Sequence, residues 1–165
     1  MTQFTLNHAI NCDVNTFWAG FFNSAFNDKL YRERLAYPIF NNLSQSETDT
    51  EIRRKIQAKP NWINKLPGPV IKMLGTDFNY VEEGIFNKSS NLWKWQQKTS
   101  SFADKFYIAG DMRVEQVADG QVNRIIKVTL EAKVFGIGGL LETSFETNIR
   151  AEADLTAQYF SDMRV

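Results

Sequence analysis

Phe135-Gly136-Ile137-Gly138-Gly139-Leu140-Leu141-Glu142, the passage from a strand-like segment into the final stretch of the chain, decides the fold. Beyond Gly139 there is no proline or glycine, and Leu141, Phe145, Ile149, Ala153, Phe160 and Met163 recur mostly at spacings of four and three. That periodicity places them on one face of an amphipathic helix. Glu142 and Glu146 lie near its positive end, and Glu146 precedes Arg150 by four residues, the supportive orientation. At 1.5 Å per residue, a helix of roughly 25 residues is about 37 Å long. Its apolar stripe needs a surface of matching length, and the segments upstream supply one.

Immediately before the glycines, Ile126, Val128, Leu130, Ala132 and Val134 alternate with Lys127, Thr129, Glu131 and Lys133. Asp119-Gly120 is a hairpin signal joining this strand to one with Phe106, Ile108, Met112 and Val114 on its apolar face. One apolar and one charged face describe a sheet that is wet on one side only. Further upstream, Leu92–Lys98 carries Trp93 and Trp95 on one face. Phe78–Phe86 is strand-like, with either Phe78, Tyr80, Glu82 and Phe86 or Val81, Glu83 and Ile85 turned inward. Thr48–Ala58 alternates so that Ile52 and Ile56 share a face with Thr50 and Arg54, and residues 39–47 read as irregular or as a weak edge strand. Between these, Leu66-Pro67-Gly68-Pro69 leads into a short helix, Val70–Leu74, stopped by Gly75. The chain opens with a strand over residues 3–10 that turns Phe4, Leu6, His8 and Ile10 one way. Asp13 then caps a helix carrying Phe17, Trp18, Phe21 and Phe22, and after Asn23-Ser24 a second helix runs to about Leu35.

Composition bounds the function. At 165 residues the chain is read as a single domain over 1–165. Lys plus Arg and Asp plus Glu are 19 each, with no basic block, which argues against nucleic acid as a partner. A single cysteine, Cys12, and no secretion pattern point to a reducing, cytoplasmic setting, and no apolar run is long enough for stable membrane insertion. His8 is the only histidine, and no ligand spacing for a metal is visible, so neither a metal nor a cofactor is expected. The glycines at 136, 138 and 139 lack a following Lys-Ser/Thr and do not open a βαβ unit, so they form a turn rather than a phosphate loop. The unusual quantity is aromatic: 13 Phe, 5 Tyr and 4 Trp.

The element order is a strand, two short helices, a run of antiparallel strands and a long helix. It specifies an α+β fold in which a curved antiparallel sheet of about six or seven strands wraps a C-terminal helix. A long helix seals such a sheet incompletely, and the space left is either filled by large side chains or open. In this layout the chain resembles the START-like superfamily (SRPBCC, the helix-grip fold), which includes birch-pollen-allergen-type proteins, lipid and steroid transfer domains and polyketide cyclases. More narrowly it resembles an uncharacterised bacterial family of that superfamily, in which the last strand passes through a proline and paired glycines into a helix with an early glutamate. Here Gly138-Gly139 and Glu142 match, and Phe135 stands where the proline is expected. The resemblance implies a deep cavity and a lipid-like or other hydrophobic ligand.

The residues expected to line that cavity are Phe21, Ile52, Arg54, Ile56, Ile71, Leu74, Trp93, Trp95, Phe106, Ile108, Met112, Ile126, Val128, Leu141, Phe145 and Ile149. Burying roughly 300 Å² of apolar ligand surface at about 25 cal/mol/Å² contributes on the order of 7 kcal/mol before association costs. Arg54 is the polar exception on this list. It is either a structural ion-pair partner of Glu82 or Glu83 or an anchor for a ligand carboxylate or phosphate. Binding of a hydrophobic or amphipathic small molecule is the primary expectation, and no catalytic residue is assigned. A cyclase- or hydrolase-type enzyme is the first alternative and requires His8, Arg54 and Glu82 to converge. A protein-interaction module with a filled core is the second.

Overall fold

The computed structural model describes residues 1–163. Seven strands form one antiparallel sheet: β1 (Thr2–Ile10), β2 (Ile39–Glu47), β3 (Glu51–Lys59), β4 (Tyr80–Asn87), β5 (Leu92–Thr99), β6 (Phe106–Ala118) and β7 (Gln121–Ala132). Their order across the sheet is β1-β7-β6-β5-β4-β3-β2, so the first strand pairs with the last and the sheet runs as a meander from there. Two short helices, α1 (Val14–Phe21) and α2 (Ser24–Asp28), follow β1, and α3 (Gly68–Leu74) lies between β3 and β4. The long helix α4 (Gly138–Ser161) crosses the inner face of the sheet and touches β1 and β7. This is the helix-grip arrangement. No helix among the described residues is long and apolar enough to cross a membrane.

The turn into α4 has a steric basis. Gly136 has φ +78, a left-handed conformation that disfavours other residues, and a Cβ on Gly138 would stand 2.4 Å from the Ala132 carbonyl oxygen. The helix can therefore start almost in contact with the end of β7. Glu142, one turn in, fastens this junction by accepting hydrogen bonds from the Ala132 N–H at 3.0 Å and the Thr2 hydroxyl at 2.7 Å. The stripe Leu141, Phe145, Ala153 and Phe160 is buried, and Glu146 pairs with Arg150 at 3.2 Å.

Three local readings change. The alternation of Thr48–Ala58 predicts a strand from residue 48, but Thr48-Asp49-Thr50 form the β2–β3 turn. The Thr48 hydroxyl accepts from the N–H groups of Thr50 and Glu51, and β3 starts at Glu51. Residues 39–47 form a regular edge strand with a bulge between Asn42 and Ser44. The second helix does not stay α-helical to Leu35: Lys29–Arg34 widen into a π-helical turn in which Leu35 N–H reaches the Leu30 carbonyl. Ala36 then takes a left-handed φ of 51 and reverses the chain. As a result Tyr31 and Tyr37 stand side by side, with ring centroids 5.2 Å apart.

Candidate functional site

The buried side chains divide into two clusters. One joins α1, the π-helical turn, β2–β4 and the end of α4, and the other joins β1, α3, β6, β7 and the first half of α4. Trp95 and Ile126 pack against both. Between the clusters lies a cavity of about 170 Å³, bounded below by the sheet and above by α4. Ten of the residues expected at a ligand site lie on its wall: Phe21, Arg54, Ile56, Trp93, Trp95, Met112, Ile126, Val128, Phe145 and Ile149.

The other six do not reach it. Phe106, Ile108, Leu141, Leu74 and Ile71 pack together in the second cluster, where α3 and the first turn of α4 close over the sheet. Ile52 belongs to the first cluster, paired with Phe86 one step beyond Arg54. The apolar alternation of a strand marks which residues face inward. It does not mark how far along the strand the empty space extends.

Two inward-facing glycines set the floor. Gly84 on β4 lies beside Trp95 of β5 in the ladder, and Trp95 in turn pairs with Gly110 of β6. A Cβ on Gly84 would stand 2.0 Å from Cζ2 of Trp93, and one on Gly110 would stand 2.6 Å from Cζ2 of Trp95. Both indoles thus occupy space that a side chain at either glycine would fill. The bare strands at these positions seat the two indoles, and the cavity lies over the indoles.

The wall is more polar than its apolar list suggests. Arg54 is 6% exposed and lies among the rings of Phe21, Phe22 and Trp93, at 4.3, 5.5 and 5.2 Å from their centroids. Nη1 donates to the Phe21 carbonyl at 2.6 Å, and Nε has no partner. The sequence offers Glu82 or Glu83 as its ion-pair partner. Glu83 instead points outward to Lys55 at 2.9 Å, while Glu82, although on the same wall, accepts from Gln97 at 3.1 Å. No carboxylate among the described residues lies within ion-pair distance of Arg54.

Glu152 of α4 is the second carboxyl on the wall. It accepts from the Tyr37 hydroxyl and, at 2.7 Å, from Trp62 Nε1. Glu82 and Glu152 are each only partly exposed, and both line the cavity. Desolvation therefore raises both pKa values above the ordinary carboxylate range, against the lowering effect of Arg54 on Glu82 and of the Tyr37 and Trp62 donors on Glu152. Burial likewise pushes up the phenols of Tyr31, Tyr37 and Tyr80, which stay neutral donors.

Arg124, also on the wall, has both terminal nitrogens engaged, although its Nε, like that of Arg54, has no partner. It donates to Thr156 Oγ1 at 3.0 Å and the Ala153 carbonyl at 2.8 Å, and lies 3.3 Å from His8 Nδ1. Burial lowers its pKa to about 10, so it remains protonated at neutral pH. His8, whose Nε2 lies 2.8 Å from Asp154, sits behind Arg124 and off the cavity wall. Arg54 and Glu82 therefore share the cavity without His8, and the three-residue convergence required for the enzyme reading is absent.

A family model described as a protein of unknown function, DUF2505, matches residues 5–162. The chain belongs to the DUF2505 family. No protein of curated function matches this DUF2505 chain in sequence. Among solved structures it is similar to TTHA0849 from Thermus thermophilus, at 10% identity and a TM-score of 0.64, covering 98% of this chain and 95% of that one. The Zhui aromatase/cyclase from Streptomyces sp. R1128 is similar at 11% identity and a TM-score of 0.60, covering 96% and 91%. Norcoclaurine synthase from Thalictrum flavum is similar at 12% identity and a TM-score of 0.63, covering 97% and 84%. At these identities the likeness establishes the fold, and the DUF2505 site must be read from its own residues.

Proposed function

We propose that this DUF2505 chain binds an apolar or amphipathic small molecule between the sheet and α4, using as contacts the residues that line the cavity. The observation that carries this reading is the cavity itself. A volume of about 170 Å³ remains at the junction of two otherwise packed clusters, walled by Trp93, Trp95, Ile126, Val128, Phe145 and Ile149. An apolar hollow of roughly 150 Å³ is large enough to take up benzene, so one or two rings, or a folded short chain, suit this one. Native extraction of the purified protein followed by mass spectrometry should recover a co-purifying apolar compound. An environment-sensitive apolar dye should also bind and be displaced by that compound. A clean extract together with a dye that never binds refutes the reading.

One observation favours a second reading, catalysis of the cyclase kind. Glu82 and Glu152 face the same cavity with pKa values shifted upward, and a carboxyl held toward its neutral form can donate a proton to a substrate. The aromatase/cyclase and the norcoclaurine synthase share the fold. Incubating the recovered compound with the protein discriminates the two readings: a binding module returns it unchanged in mass and isomeric form.

A further inference from the structure

We infer that the ligand's polar end is a carboxylate, received by Arg54. This rests on the cavity-binding reading above and adds a chemical class to it. Arg54 is a guanidinium that burial has removed from water without a bridging counterion: among the described residues no carboxylate stands within 4.0 Å, and the one hydrogen bond it makes goes from Nη1 to the Phe21 carbonyl. Phe21, Phe22 and Trp93 surround it as rings. Aromatic faces attract a cation but accept none of its in-plane N–H groups. The remaining donors therefore lack acceptors, as the unpartnered Nε shows, on a side chain that lines the cavity.

The other charged groups on the wall do not compete for this role. Arg124 also has an unpartnered Nε, but both of its terminal nitrogens are taken, Nη1 by Thr156 and Nη2 by the Ala153 carbonyl beside His8, whereas Arg54 has only Nη1 engaged. Glu152 holds two donors and Glu82 holds one, and desolvation drives both carboxyls toward the neutral form, so neither offers a firm anionic partner to a ligand amine. A planar carboxylate fits the parallel N–H groups of a guanidinium in two-point fashion. A phosphate dianion would bring a second negative charge into the same desolvated space, at a further desolvation cost. Arg54, Phe40 and Ile56 also border a surface groove lined by Ser24, Asn27, Asp28 and Arg32. The rival account is therefore that water from the groove solvates the guanidinium, in which case the ligand's charge is irrelevant.

Three isosteric probes separate these possibilities: 4-phenylbutyrate, 4-phenylbutanol and 4-phenylbutylamine. They are titrated into the full chain at a pH of about 7.5 and followed by calorimetry and by the emission of the wall tryptophans. The expected order is carboxylate at least tenfold tighter than alcohol, with the amine weakest. In Arg54→Met the carboxylate-to-alcohol ratio should collapse to within about twofold, and Arg54→Lys should retain part of the preference. An alcohol or amine that binds wild type as tightly as the carboxylate overturns the inference and leaves the cavity reading intact. Binding of none of the three overturns both. Should Arg54→Met fail to fold, the order of the three probes on wild type still decides.

Discussion

Replacing Gly84 with alanine tests whether a bare strand seats Trp93 in the cavity floor. The added methyl would stand 2.0, 2.2 and 2.7 Å from Cζ2, Cη2 and Cε2 of Trp93, against an ordinary carbon–carbon contact of about 3.5–4.0 Å. The indole must therefore withdraw by roughly 1.5 Å to restore contact. It has no free direction along the sheet, because Phe21, Phe22 and Arg54 enclose it at 5.4, 5.6 and 5.2 Å from its centroid. Overpacking of this kind costs about 1–3 kcal/mol, and the enclosure puts this site in the upper half of that range. Alanine recovers about 0.5 kcal/mol by restricting the unfolded chain, leaving a net loss of about 2 kcal/mol. For a chain of this length that is a fall of about 4–8 °C in Tm. A double-mutant cycle isolates the cause. In a Trp93→Leu background the clashing ring atoms are gone, so Gly84→Ala should become neutral or slightly stabilising, giving a coupling of about 2 kcal/mol in urea unfolding. An alanine tolerated in the wild-type background, or a loss of equal size in both backgrounds, refutes the account of the floor.

Two further perturbations address the titrating groups. The folded-state pKa values of Glu82 and Glu152 are raised, so their protonated forms favour folding below the unfolded value of 4.5, and that contribution is lost as pH rises through the folded values. The urea midpoint should fall as pH rises above 4.5, and Glu82→Gln/Glu152→Gln should flatten the slope. Glu142 has the opposite sign. Desolvation acts to raise its pKa, but the Ala132 N–H and Thr2 hydroxyl bonds outweigh this and hold it low, so its contribution disappears only on acidification. Glu142→Ala, which strands the Ala132 N–H at the β7–α4 junction, should cost about 1–3 kcal/mol in chemical denaturation at neutral pH.

The fold was legible because its signals are periodic. Alternation on β5, β6 and β7 and the stripe on α4 name the inner face residue by residue, and the turn chemistry at Asp119-Gly120 fixes the hairpin between β6 and β7. Arg54 was legible for the same reason, as a charge in phase with Ile52 and Ile56. The identical argument applies to Arg124, in phase with Val122, Ile126 and Val128, and to Glu152, three residues after Ile149 and seven after Phe145. Each is a charge on an apolar phase, a signal that the apolar pattern alone does not pick out. Tyr31 and Tyr37 carried no such signal. Their meeting depends on a π-helical widening and a left-handed alanine, which neither propensity nor periodicity encodes. Trp62 reaches Glu152 from a short 3-10 turn, Asn61–Lys65, that has no apolar period to read.

What distinguishes the wall from the rest of the interior is how its charges are treated. Away from the cavity, the buried Lys59 ammonium donates to the Thr76 carbonyl, and the buried Glu142 carboxylate takes both a backbone and a hydroxyl donor. Those groups stitch loops and termini to the sheet, and their partners account for them. On the wall, Arg54 and Glu82 occupy the same inward face of neighbouring strands and yet do not form an ion pair, although a direct bridge would satisfy both. An interior selected for stability alone would close that bridge or replace both groups by apolar side chains. Keeping the pair apart, above a floor of indoles seated on Gly84 and Gly110, leaves hydrogen-bonding capacity facing a space of about 170 Å³. Residues that weaken the core while leaving polar capacity turned toward a hollow are what physically separates a binding site from a packing defect, and the proposed carboxylate preference rests on that difference.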